Sequence, residues 1–147
     1  MRYFLLFLLT VFVACSSQTP KNLTEEVNGL IAEDNYSQAL EVLNNADPAK
    51  TDADIATLKE KTYLNYGLYL EYRGPEDSSM RDRMTSALRQ YIEVLKINPH
   101  NQKARGEIQQ IMNIYQTMPD RSPGEDILKE LQELGFEYGE ANVKREK

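Results

Sequence analysis

One stretch, residues 86–104, constrains the fold more than any other, because it contains the end of one helix and the start of the next. Four of its apolar residues recur at three- and four-residue steps, which places them on one helix face: Ala87, Tyr91, Val94 and Leu95. Pro99 cannot continue this helix, and the residue before a proline avoids the α region, so we expect the helix to end near Asn98. A second helix is predicted from about Asn101. The sequence therefore predicts consecutive helices joined by a tight connection.

Small and aromatic residues follow a recurrent order in this stretch and in residues 62–74. The first segment has Ala87, Tyr91, the ending Ile97–Pro99 and a restart at Ala104. The second segment carries the order on Tyr63, Tyr66, Gly67 and Leu70. Both segments resemble parts of the tetratricopeptide repeat (TPR). Residues 86–104 resemble its second helix and the start of the next repeat, and residues 62–74 resemble its first helix. Residues 34–43 resemble the turn and the start of the second helix of the same repeat.

The resemblance implies stacked helical hairpins, in which Gly67 and Ala87 are small where two helices cross and Tyr63 and Tyr91 fill the space beside them. The family usually keeps this glycine and alanine twelve residues apart, whereas here they are twenty apart, so this repeat carries about eight extra residues. A hairpin tolerates such an insertion, because each doubling of the loop length costs only about 0.6 kcal/mol of closure free energy.

The start of the chain is typical of an export signal. Of the 147 residues, 1–14 comprise a basic Met1-Arg2 start, an apolar run from Tyr3 to Val13, and a small residue. The run is too short to span a bilayer as a permanent helix, so we interpret residues 1–14 as a cleaved signal peptide. The alternative is a buried N-terminal helix, which would leave its apolar face with nothing to pack on.

Cys15 is the only cysteine and directly follows this segment. Phe12–Cys15 is similar to the cleavage box of bacterial lipoproteins, in which the cysteine is lipidated and becomes the mature N-terminus. Ser16, in place of an acidic residue, implies by the same resemblance the outer membrane, with the folded part facing the periplasm. In this interpretation, residues 15–21 are a polar, lipidated tether. The alternative is an ordinary cleaved signal and a free thiol.

The chain is acidic, with a formal net charge of −6 that becomes −7 when residues 1–14, whose only charged residue is Arg2, are removed. It has no basic run that would follow a phosphate backbone, which argues against nucleic acid as a partner. The sole histidine, His100, follows Pro99, and we interpret it as a turn residue rather than a catalytic base. We expect no enzymatic activity, no metal and no cofactor, since no cysteine-histidine cluster or phosphate loop is present.

The mature sequence predicts six helices and no strand, at about 22–32, 36–44, 52–72, 80–98, 101–117 and 123–134. Thr51 is the predicted N-cap of the third helix, and Ser78 or Ser79 that of the fourth. Ser122 as N-cap and Glu125 predict a capping box for the sixth, with Pro123 as its first residue and Gly135 as its terminator. The predicted fold is all-α, a short α-solenoid of about three TPR-like hairpins in residues 22–136. The sixth helix acts as its cap, and a charged tail follows at 137–147.

TPR proteins bind partners on the concave surface formed by their first helices. The places that face the ligand match residues on the third and fifth helices: Leu64, Asn65, Leu68, Tyr72, Lys103, Glu107, Gln110 and Asn113. The alternative is that the apolar stripe on the third helix is core, covered by the first hairpin or by the start of the fourth helix. Arg81, Arg83 and Arg89 make the exposed side of the fourth helix basic, which predicts either local ion pairs or a site for an acidic partner.

These features lead to two hypotheses on function. The first is a lipid-anchored adaptor of the bacterial envelope that binds a segment of another envelope protein on its concave face. The second is a lipoprotein that binds a small ligand or a glycan, with stacking faces supplied by Tyr63, Tyr66, Tyr69 and Tyr72. Homo-oligomerisation through the same stripe is compatible with both.

Overall fold

The structure is a computed structural model that describes residues 22–50, 54–118 and 121–137. This part of the chain is all-α and contains no strand, which confirms the predicted fold class. Its helices are α1 Leu23–Ala32, α2 Tyr36–Asn45, α3 Ile55–Tyr72, α4 Met80–Ile97, α5 Gln102–Thr117 and α6 Glu125–Glu133, with a 3₁₀ turn at Pro48–Lys50. The predicted signal segment, Cys15, the tether, Thr51 and most of the charged tail lie outside the described residues.

Side-chain caps fix the starts of the two long central helices. Ser79 caps α4 by accepting the backbone N–H of Asp82 at 3.1 Å, and Asn101 caps α5 by accepting that of Ala104 at 2.9 Å. The start of α3 differs from the prediction, because its N-cap is Asp54 and not Thr51. The Asp54 carboxylate accepts both the backbone N–H and the hydroxyl of Thr57, which holds its pKa below the ordinary value.

The predicted capping box of α6 does not form. The helix begins at Glu125, its N-cap is Gly124, and no side chain caps it. The Ser122 hydroxyl accepts the N–H of Gly124 instead, at 3.2 Å, so it stabilises the turn before the helix. The predicted terminator is confirmed: Gly135 has φ +82°, and the backbone N–H groups of Gly135 and Phe136 bond back to the carbonyls of Gln132 and Leu131.

The turn between α1 and α2 places a non-glycine residue in the left-handed region. Asp34 has φ +58°, and this conformation lets the N–H groups of Asp34 and Asn35 bond back to the end of α1. The Asp34 carboxylate accepts the Tyr36 hydroxyl at 2.8 Å and pairs with Arg73 at 2.7 Å. Aspartate is one of the few non-glycine residues that adopt this conformation, and two side-chain contacts hold Asp34 in it.

Buried apolar residues form two clusters. The larger cluster joins α3, α4, α5 and α6, and its fully buried members include Ala87, Leu88, Tyr91, Leu95, Ile108, Ile111, Ile127 and Leu131. The smaller cluster joins α1, α2 and the start of α3 through Val27, Ala39, Leu43 and Leu58. Among the helices described, none is long and apolar enough to span a membrane.

The predicted close crossing of α3 and α4 is present. A Cβ atom built on Gly67 would lie 2.4 Å from Cε1 of Tyr91, a distance that allows no side chain at this position. Ala87 and Tyr91 on α4 are fully buried at the same crossing. The absence of a side chain at Gly67 therefore lets the Tyr91 ring lie directly against the backbone of α3.

Candidate partner-binding surface

A hydrogen-bond network connects the exposed side of α3 to that of α5. The Tyr72 hydroxyl donates to Oε2 of Glu107 at 2.7 Å. Nε2 of Gln110 donates to the Tyr72 hydroxyl at 3.1 Å and to Oε1 of Glu71 at 3.0 Å. We call Glu71, Tyr72, Lys103, Glu107 and Gln110 the α3–α5 network. Because these contacts span two helices, they fix the relative positions of side chains far apart in the sequence.

Glu107 is a buried carboxylate at the centre of this network, with 5% of its surface exposed. A buried charge is costly unless it is paired and hydrogen-bonded. Its Oε1 forms an ion pair with Lys103, one turn earlier on α5, and its Oε2 accepts the Tyr72 hydroxyl. These contacts raise the pKa of Lys103 and of Tyr72 above their ordinary values, chiefly through the hydrogen bonds to Glu107.

Glu71 and Tyr91 also belong to this site, although the sequence analysis did not name Glu71 and named Tyr91 only as a residue of the helix crossing. The Tyr91 ring passes over Gly67, and its hydroxyl donates to Oε2 of Glu71 at 2.7 Å. Burial raises the pKa of the Glu71 carboxyl, and the negative charge of Glu107 adds to this effect. Burial and the Glu71 contact raise the pKa of Tyr91 as well. The available signal was the spacing, since Glu71 lies one helical turn after Gly67 on the same face of α3.

The structure divides the eight predicted partner-binding residues into two groups. Four of them meet in the α3–α5 network: Tyr72, Lys103, Glu107 and Gln110. The other four have different surroundings. Leu64 and Leu68 are partly buried against the larger core. Asn65 donates to the carbonyl of Lys61 on its own helix, and exposed Asn113 accepts from Gln109 on its own helix.

The tyrosines of α3 have different neighbours from one another. The Tyr66 ring stacks on Tyr36 with 5.0 Å between centroids, and Tyr69 packs against the same ring at 5.5 Å. Tyr63 packs against the larger core. Tyr72 is the only one of the four that is mostly exposed, at 56%. A ligand that stacks on tyrosine therefore has one widely accessible ring on α3.

The three arginines of α4 make different contacts. Arg89 pairs with Asp126 of α6 at 2.6 Å, in agreement with the local ion pair that the sequence predicted. Arg83 donates to the carbonyl of Arg73 at 2.8 Å, and Arg81 donates to that of Ser122 at 3.4 Å. Among the residues that the structure describes, two guanidinium groups of α4 are therefore bound to backbone carbonyls and not to carboxylates.

The described residues include no group of three or more acidic, histidine or cysteine side chains that is arranged to hold a metal ion. His100 lies in the exposed turn between α4 and α5, where its backbone N–H donates to Asn98 at 3.2 Å. Comparisons of the chain with protein-family models, with curated proteins and with solved structures find no match.

Proposed function

We propose that this protein is a lipid-anchored, TPR-like adaptor of the bacterial cell envelope. In this proposal, a segment of another envelope protein binds along the exposed sides of α3 and α5. The observation that carries the proposal is the α3–α5 network, in which residues that resemble the ligand-facing places of the repeat meet in one hydrogen-bonded arrangement.

The network favours a binding role because it presents fixed groups at an exposed surface. Tyr72 has both its hydroxyl bonds made within the protein while much of its ring remains exposed. Exposed aromatic side chains are frequent anchors of protein interfaces. A ring that is already held in place loses less conformational entropy when a partner binds. The Lys103 side chain, 57% exposed, adds a cation beside it.

The packing of α3 on α4 supports the resemblance to the repeat. The pattern requires a small residue where two helices cross, and Gly67 lies against Tyr91 at that crossing. Along the chain, α1 packs against α2 and α3 against α4, whereas α6 packs against α4, where Arg89 pairs with Asp126 and Lys96 with Glu130. The repeat resemblance and the lipid anchor are both parts of the proposal, and the anchor depends on Cys15.

Replacement of Cys15 by alanine tests the anchor. We expect Cys15→Ala to move the protein from the membrane fraction to the soluble fraction, because the acyl chains supply about 0.8 kcal/mol of membrane affinity per buried methylene. Circular dichroism of both proteins checks that the helices persist. A Cys15→Ala protein that stays firmly membrane-bound contradicts the lipid anchor.

A cross-linked pull-down from solubilised envelope tests the binding surface. We expect the native protein to capture one abundant partner, and the variant Tyr72→Ala/Gln110→Arg to lose it. The matched control is Gln132→Arg, the same change at an exposed position on α6. If both variants retain the partner, the proposed surface is wrong. If no partner appears but saccharides or peptidoglycan fragments raise the melting temperature, the glycan hypothesis replaces the adaptor.

A further inference from the structure

A cleft of about 530 Å³ lies between the start of α4 and the end of α5, and none of its lining residues belongs to the α3–α5 network. Its apolar lining consists of Met80, Met84, Ile114, Tyr115 and Met118. Tyr72 and Met80 are the two large hydrophobic side chains that are mostly exposed in the described part of the chain. Tyr72 belongs to the proposed partner surface, whereas Met80 borders this cleft. The exposed apolar side chains therefore mark two separate places.

Hydrogen bonds hold the two walls of the cleft together. The hydroxyl groups of Thr85 on α4 and Tyr115 on α5 are 2.8 Å apart, and the Tyr115 hydroxyl also donates to the carbonyl of Arg81 at 3.4 Å. Tyr115 and Met84 are buried at its base. The first two turns of α4, which form one wall, are the residues inserted relative to the repeat pattern.

The charged side chains that line the cleft have a net positive charge. Arg81 and Arg121 both line the cleft. Within the residues that the structure describes, neither guanidinium pairs with a carboxylate. Asp82 is the one carboxylate in the lining, and it accepts the hydroxyl of the N-cap Ser79 at 2.7 Å. A chain with a net charge of −6 thus has a locally cationic rim around an apolar cleft.

We propose that this cleft binds a small anionic amphiphile, which is an apolar chain or ring that carries one carboxylate or phosphate group. Ligand sites usually enclose roughly 300–1,000 Å³, with a mostly apolar lining and a few polar groups that orient the ligand. Methionine side chains adapt to apolar groups of varied shape. Arginine binds carboxylate and phosphate through paired N–H donors, so Arg81 and Arg121 orient the anionic end toward the rim.

The methionine methyl groups provide a direct test by NMR. The sample is the mature chain, residues 15–147, with Cys15→Ser and ¹³C-labelled methionine methyls, and the probe is decanoate below its micelle concentration. We expect saturable shifts of the Met80, Met84 and Met118 signals. Met112 is an internal control, because it is 3% exposed and packs in the larger core. Shifts of all four signals together indicate general detergent action and overturn the proposal.

Substitutions at the rim test the charge requirement. We expect Arg81→Gln/Arg121→Gln to weaken decanoate binding at least about tenfold, since each removes a charge-assisted hydrogen bond. Arg89→Gln is the matched control on α4, because Arg89 pairs with Asp126 elsewhere, and we expect it to bind normally. Decyltrimethylammonium has the same chain length as decanoate, but its cationic head cannot accept hydrogen bonds from the arginines. It should therefore bind at least about tenfold more weakly than decanoate. Equal binding of the cation, or a tighter fit of an acidic peptide in the same cleft, overturns the proposal.

Discussion

The first hairpin, α1 and α2, and the α3–α6 region are held together in different ways. The α3–α6 region shares a core of sixteen buried residues contributed by four helices and Phe136. The first hairpin has four buried residues in its cluster, and one of them, Leu58, belongs to α3. Hydrophobic stabilisation grows with the apolar area removed from water. The α3–α6 region therefore contains the main stabilising core, and the first hairpin depends on its neighbour.

Polar and aromatic contacts attach the first hairpin to α3. Tyr36 stacks on Tyr66, and Asp34 pairs with Arg73 at the surface. Lys61 donates to Asn28 at 2.7 Å. Regions with few buried apolar contacts open locally at lower free energy than the whole molecule. We therefore expect the first hairpin to open at a lower free energy than the α3–α6 region.

Truncation of one leucine in each core should have the largest effect on stability and tests the difference between the two regions directly. We expect Leu95→Ala to lower the free energy of global unfolding by about 2–5 kcal/mol, because it leaves a cavity in the larger core. Leu43→Ala, at an equally buried site, should mainly speed hydrogen exchange in α1 and α2. Denaturant titration and native-state hydrogen exchange measure the two effects. If Leu43→Ala speeds exchange equally in α4, the molecule is one cooperative unit.

Alkaline pH should loosen the first hairpin selectively. Burial and the hydrogen bond to Asp34 raise the pKa of Tyr36 from 10.0 to about 12. The folded state holds this proton more tightly than the unfolded state, so the contribution is complete below pH 10 and is lost as pH rises through about 12. It amounts to about 3 kcal/mol at most, because each unit of pKa corresponds to about 1.4 kcal/mol. Because other groups titrate in the same range, the measurement is the stability difference between the native protein and Tyr36→Phe. A difference that does not change between these pH values contradicts the assignment.

Substitutions of Asp34 should give the smallest effect. Asp34→Ala removes the Tyr36 and Arg73 contacts and keeps a side chain at positive φ, so we expect a loss of about 1–2 kcal/mol. Asp34→Gly removes the same contacts but suits the turn, so it should be about 1 kcal/mol more stable than Asp34→Ala. Urea denaturation compares the two variants. If alanine and glycine give equal stability, the turn stores no backbone strain.

The sequence was sufficient for the helices and for the crossing of α3 and α4. Helical periodicity is a local property of the sequence. The helix ends are also local, because they are set by nearby breakers: Gly74, Pro99 and Gly135. The resemblance to the repeat placed Gly67 and Ala87 at the crossing with Tyr91 beside them, and the structure has the Tyr91 ring against Gly67. The starts of α3 and α6 were not predictable, since several polar residues compete for each cap and the choice depends on local geometry.

The sequence was insufficient for the contacts that build the candidate site. The bond between Tyr91 and Glu71 depends on the direction of a ring on another helix, and no local pattern gives that direction. The stack of Tyr36 on Tyr66 likewise requires the packing of α2 on α3. Four-residue spacing placed Tyr72 on a stripe of α3, and the resemblance to the repeat placed Gln110 on the corresponding side of α5, but neither gave their hydrogen-bond partners.

The contact between Gly67 and Tyr91 has a consequence for how this sequence can change over evolution. Any side chain at position 67 needs a smaller residue at 91, and a smaller residue at 91 leaves a void that a larger residue at 67 would fill. A smaller residue at 91 also removes the hydroxyl that donates to Glu71, so a volume change in the core removes a hydrogen bond from a carboxylate of the α3–α5 network. Positions 67, 71 and 91 should therefore covary in any family of descendants of this chain.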